Sequence, residues 1–173
     1  AVMLLGYVVF GLTGFGSTAI TVPILAHFLP ITFLVPMVVL IDLASALSVG
    51  ATGRAHVSKE ECKRIIPWMF VGFVLGATVL VAVPERHLRF ALGVFAAVVG
   101  IHGILNPRLT HTISRFWAVP AGIVGGGIAT IFGAGGPIYA TYLSGRLADK
   151  SALRATASTL IFVSASSRAI VYA

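Results

Sequence analysis

Charge is scarce in this chain. Only 10% of its 173 residues are Asp, Glu, Lys or Arg, and five acidic residues stand against twelve Lys and Arg. A soluble domain carries roughly a quarter charged residues, so a single water-facing globule is excluded. Cysteine is scarcer still. Cys62 stands alone, which rules out an intrachain disulfide, a CxxC pair and a zinc quartet, and leaves a loop or interface thiol. His27, His56, His87, His102 and His111 show no metal-ligand spacing. There is no HExxH, no Walker A loop and no Ser/His/Asp arrangement, so no metal, no cofactor and no enzymatic chemistry is expected. The first apolar stretch has no basic region ahead of it and does not read as a cleavable signal peptide.

Apolar length is what the chain has instead. Hydrophobic residues make up 58% of it, and the mean hydropathy is +1.02. Apolar stretches occupy 1–30, 31–52, 65–83, 88–105, 116–143 and 151–172. Most approach or exceed the ~20 residues that cross a bilayer. The net charge of +7 sits in the short links between these stretches, without interleaved aromatics. That placement fits a positive-inside bias and not a nucleic-acid surface.

Two of the stretches are broken by glycine. The first reads Gly11-Leu12-Thr13-Gly14-Phe15-Gly16-Ser17-Thr18 and the second Phe132-Gly133-Ala134-Gly135-Gly136-Pro137. A continuous helix satisfies its own backbone, and a break at membrane depth frees polar groups that need other partners. Transporters hold their solute at such breaks. Ser17 and Thr18 are natural N-cap residues, and Pro137 suits a first helical turn. A half-helix starting there offers free N–H groups and the positive end of a dipole to a small oxyanion. The competing reading is that the glycines only let helices pack closely.

Laying Gly14 over Gly133 puts Gly16 over Gly135, Gly6 over Gly125, Ser45 over Ser164 and Ser48 over Ser167. This weak symmetry divides the chain into a first membrane repeat, 1–115, and a second, 116–173, which lacks its last two helices. If each broken stretch crosses once, the basic residues divide almost evenly between the two sides. If each folds back as a re-entrant hairpin, Arg54, Lys59, Lys63, Arg64, Arg108, Arg115, Arg146, Lys150 and Arg154 share one side. Only Arg86 and Arg89 then face the other. The positive-inside rule favours the hairpins. Three crossings per repeat, an odd number, would make the two copies inverted. A broken helix that still crosses is the open alternative.

Among side chains, Asp42 lies near the middle of the second stretch, where an ionisable group is a functional hypothesis by default. It is a candidate coupling site for a proton, or a protonated structural Asp. Arg168 is deep in the last stretch, able to attract an anion, pair with Asp42 or anchor at an interface. Thr156, Ser158 and Thr159 can donate to a substrate or bond back to their own helix. Gly72 and Gly76 permit close helix contact, and Trp68 and Trp117 read as interfacial anchors beside Pro67 and Arg115.

These motifs resemble the sulfite exporter TauE/SafE family of membrane transporters. The matching stretches are Gly11-Leu-Thr-Gly14-Phe-Gly16 leading to Pro23-Ile24-Leu25, and Gly122-Ile-Val-Gly125 leading to Gly133-Ala-Gly135-Gly136-Pro137. Tyr142-Leu143, Leu153-Arg154-Ala155-Thr156, Arg168, Tyr172 and the basic link Arg54-Ala55-His56 also resemble it. The resemblance implies a duplicated membrane protein that exports small sulfur-containing anions such as sulfite or organosulfonates. It also implies that the glycine motifs of both halves line the path. The first motif continues Ser17-Thr18 where family members often carry a further glycine pair, so substrate preference is expected to differ.

The expectation is an all-α membrane protein of the bacterial cytoplasmic (inner) membrane, an inverted repeat of broken or re-entrant helices plus transmembrane helices. Its partners would be a small anionic substrate and membrane lipid, with proton coupling conceivable and nucleic acid excluded. The substrate-binding residues would be Gly14, Phe15, Gly16, Ser17, Thr18, Gly133, Ala134, Gly135, Gly136 and Pro137, with Thr156 and Arg168 as secondary contacts. An anion channel with the breaks as its filter, or a non-transporting membrane subunit, is the alternative.

Overall fold

A computed structural model of the chain describes residues 21–22, 24–25, 30, 33–34, 37–44, 56–105 and 113–172. The first break, Gly14 to Thr18, lies outside the described residues, as does most of the first stretch. Residues 37–44 are helical. Five named helices follow: α1 (Lys59–Ala82), α2 (Glu85–Leu105), α3 (Ala118–Phe132), α4 (Gly136–Ser144) and α5 (Lys150–Tyr172), with a 3-10 turn, Arg115–Trp117, leading into α3.

α1 starts six residues before the apolar stretch that marks it. Glu60 and Glu61 occupy its first turn, where carboxylates complement the helix dipole, so polar sequence is recruited into the helix. Cys62 is therefore not in a loop but buried in that turn. Pro84 ends α1, holding Val83 extended at φ −101° and ψ 129°. Its carbonyl then accepts from the N–H groups of His87 and Leu88 to start α2. The α1–α2 link is the tight turn that Pro84-Glu85-Arg86 predicts.

The outer faces are apolar. On α2, Phe90, Val94, Val98, Ile101 and Leu105 recur at helical spacing and are exposed, while Leu88 and Leu92 point into the core. A stripe this large facing outward belongs against lipid. Among the described residues, Lys59–Ala82 and Arg115–Phe132 are long and apolar enough to cross a membrane.

Glycines set the tightest contact, between α1 and α3. A Cβ on Gly72 would run into the carbonyl oxygen of Ile123, and one on Gly126 into that of Met69. A Cβ on Gly76 would lie 2.7 Å from the oxygen of Gly127. The Gly72-x-x-x-Gly76 pattern thus serves packing, matched by Gly122, Gly126 and Gly127 across the seam.

Candidate functional site

The described break begins where α3 ends. Gly133 takes the left-handed conformation, φ 73° and ψ 0°, and its N–H caps the helix on the Ala129 carbonyl at 2.9 Å. Only glycine adopts that conformation without strain. Ala134 is fully buried. Gly135 is the N-cap of α4, and Pro137 sits in the first turn, as its missing N–H allows. No backbone hydrogen bond from the N–H of Ala134, Gly135 or Gly136 forms among the described residues. All three residues are buried, and the first N–H groups of a helix lack intrahelical partners, so this helix start offers donors to an acceptor.

The break turns the chain back on itself. A Cβ on Gly135 would lie 2.6 Å from the Gly125 oxygen, and one on Gly125 would strike the ring of Tyr139. α4 therefore runs antiparallel against α3. At the other end, a Cβ on Gly145 would strike the Ile113 side chain, and Arg146 Nη1 donates to the Ile113 carbonyl at 3.4 Å. The two ends of the segment meet. Its hinge lies about 22 Å away along the fifteen-residue α3.

Arg168 reaches the hinge from α5. Its Nη1 donates to the Ala129 carbonyl at 2.6 Å and its Nε to the Ser164 carbonyl at 3.2 Å. Arg168 is 3% exposed, and its guanidinium sits at the C-terminal end of α3, where a cation offsets the negative end of the dipole. Asp42 is buried as well. It lies one turn beyond Val38, which packs in one cluster with Phe132, Ala134 and Ala165. The structure thus brings Gly133, Ala134, Gly135, Gly136, Pro137, Arg168 and the helix of Asp42 together.

Thr156 stands apart. Its Oγ1 accepts the Ser58 N–H at 3.0 Å, and it precedes Arg168 by twelve residues of α5, about 18 Å along the axis. Ser158 and Thr159 both donate to the Ala155 carbonyl, at 3.0 and 2.8 Å, the back-bonding common for hydroxyls in helices.

The family model for sulfite exporter TauE/SafE matches residues 1–173. The chain belongs to the sulfite exporter TauE/SafE family. It is accordingly an integral membrane protein of a transporter family. No curated protein and no solved structure matches it.

Two further buried hydroxyls in this part of the TauE/SafE chain escaped the sequence. Among the described residues, the hydroxyls of Tyr139 and Ser164 are buried without a hydrogen-bond partner. Tyr139 lies in the turn after Pro137, with its ring over Gly125 and Gly135. Ser164 lies one turn before Arg168, on the face of α5 that carries the buried Ala157, Leu160, Ile161, Ala165 and Arg168. That helical register was the available signal.

Long-range contacts also fasten the α4 end of the hairpin to α1. Tyr142 donates to Glu61 Oε2 at 2.6 Å. Arg146 donates to Glu61 Oε1 through Nη2 at 3.1 Å, and Arg64 reaches the same oxygen at 2.8 Å. The hydrogen bonds that Arg146 donates to Glu61 raise its pKa above the ordinary value, so the guanidinium stays charged in this charge-assisted clasp.

Proposed function

We propose that this TauE/SafE chain carries small sulfur-containing oxyanions, such as sulfite or organosulfonates, out across the bacterial cytoplasmic membrane. The anion is held at the midplane by the free N–H groups of Ala134, Gly135 and Gly136 at the start of α4. Gly14–Thr18 supply the matching half from the first repeat. Arg168 fixes the α3 terminus and adds positive potential, and the Tyr139 and Ser164 hydroxyls supply two further donors. The single observation that carries this reading is that the N–H groups of Ala134, Gly135 and Gly136 and the buried hydroxyls of Tyr139 and Ser164 have no hydrogen-bond partner among the described residues. An oxyanion supplies only acceptors, and it fits a cradle built of donors.

In this reading the α3–α4 segment is a re-entrant hairpin, supported by the meeting of Ile113 and Arg146. The two repeats, 1–115 and 116–173, are inverted copies. Rocking of one against the other alternates access to the site, and Asp42 takes up the coupling proton. A carboxylate beside an anion repels it unless protonated, which ties binding to proton uptake.

A binding titration of the purified protein with sulfite, thiosulfate, sulfoacetate and chloride tests the substrate class. The oxyanions should bind in preference to chloride, because they can accept from several donors at once. Equal binding of chloride would remove the case for an oxyanion cradle.

A further inference from the structure

A second site lies at the opposite end of the hairpin from the break. Between the first turns of α1 and the 3-10 start of α3 opens a cavity of about 730 Å³. Four cations line it: Lys63 and Arg64 from α1, Arg115 from the 3-10 turn, and Arg146 from the link after α4. Glu61 meets Arg64 and Arg146, and Arg64 also reaches Glu60 at 3.3 Å. Lys63 and Arg115 have no ion pair among the described residues. The cavity therefore keeps a net positive field with two uncompensated charges.

Its walls are otherwise apolar. Trp68 lines it at 40% exposure and Phe116 at 85%. Below Trp68, Val71 and Leu75 continue the same face of α1 at helical spacing, and both are exposed. A free inorganic anion would use the cations and leave the aromatic wall and this apolar track idle. A phospholipid uses all three, with its phosphate among the cations, its glycerol region beside Trp68 and Phe116, and an acyl chain along Val71 and Leu75. The cavity also lies on the side where the basic links gather, which positive-inside orientation makes the cytoplasmic leaflet, rich in anionic lipid.

We propose that this cavity holds the headgroup of an anionic phospholipid, its phosphate contacted by Lys63 and Arg115. The lipid then braces α1 against the start of α3, beside the Glu61 clasp. This site stands independently of what the break carries.

Native mass spectrometry of the detergent-purified chain tests the proposal, with phosphatidylglycerol, phosphatidylcholine or inorganic phosphate added. Phosphatidylglycerol should be retained, phosphatidylcholine much less, and inorganic phosphate should not compete at millimolar concentration. The double variant Lys63→Gln/Arg115→Gln should lower retained phosphatidylglycerol roughly tenfold or more, since each juxtamembrane cation contributes appreciably to anionic-lipid binding. Arg89→Gln should not, because Arg89 pairs with Glu85 at the start of α2, remote from this cavity. Both target side chains are exposed, so the double variant should melt in detergent as the parent does. The charge-keeping Lys63→Arg/Arg115→Lys variant should restore retention. Equal retention by the neutral double variant, equal retention of phosphatidylcholine, displacement by inorganic phosphate, or failure of the charge-keeping variant to restore binding would each overturn it.

Discussion

Tyr139 is the residue at which stability and function separate. Its hydroxyl is buried with no partner among the described residues, and an unsatisfied group of this kind costs a fold about 1–3 kcal/mol. Tyr139→Phe removes that cost and keeps the ring that packs on Gly125. Denaturant unfolding should show stability unchanged or raised by about 1 kcal/mol. Titration of the same variant with sulfite should show affinity lowered about ten- to a hundredfold, the worth of one hydrogen bond to a charged acceptor. A variant less stable than the parent would mean that the hydroxyl supports the fold and not the anion. The glycine break itself was legible residue by residue, because Gly133-Ala-Gly-Gly-Pro137 spells both a left-handed cap and a helix start. Tyr139 and Ser164 were not legible. Nothing in a side chain's identity says whether its hydroxyl will find a partner, since that depends on helices assembled from distant sequence.

At the scale of elements, the α1–α3 seam and the start of α5 each make a checkable statement. Gly126 lies against the Met69 carbonyl with no room for a Cβ. Gly126→Val should force the helices apart at a cost of about 1–3 kcal/mol, read as an earlier midpoint in detergent-titrated unfolding. An unchanged midpoint would show that the seam is looser than described.

The start of α5 depends on Asp149. Its carboxylate accepts the N–H groups of Ser151 and Ala152 at 3.1 and 3.2 Å, and these bonds hold its pKa below the ordinary carboxylate range. A depressed folded pKa means that the contribution is present above the unfolded value, about 3.9, and is lost as pH falls through the lower folded value. Asp149→Asn keeps a capping side chain and removes the titration. It should flatten the loss of stability between pH 4 and the acid limit, followed by thermal melts across that range. The helix spans were legible in apolar length. Their starts were not: α1 begins at Lys59 because Glu60 and Glu61 suit a first turn, which an apolar count does not register.

At the scale of the whole molecule, the chain is a TauE/SafE membrane protein whose second broken segment folds back so that Ile113 and Arg146 meet. Charge placement alone favoured such a fold-back, since it gathers nearly all basic links on one side. The clasp that fastens it was invisible in sequence, because Glu61 lies 81 residues from Tyr142 and 85 from Arg146. If Asp42 couples anion movement to protons, Asp42→Asn should flatten the pH dependence of transport while anion binding persists. Full pH dependence in that variant would move the coupling site elsewhere.

On the proposed function, donors at the Gly133–Pro137 break hold an oxyanion that the protein then moves. Sulfite flux into proteoliposomes, measured against sulfite concentration, tests it most directly. The flux should saturate, be competed by other small oxyanions and fall strongly in Gly135→Val, whose side chain would fill the space against Gly125 and Ala129. Flux that stays linear in concentration, or that is untouched by Gly135→Val, would contradict it.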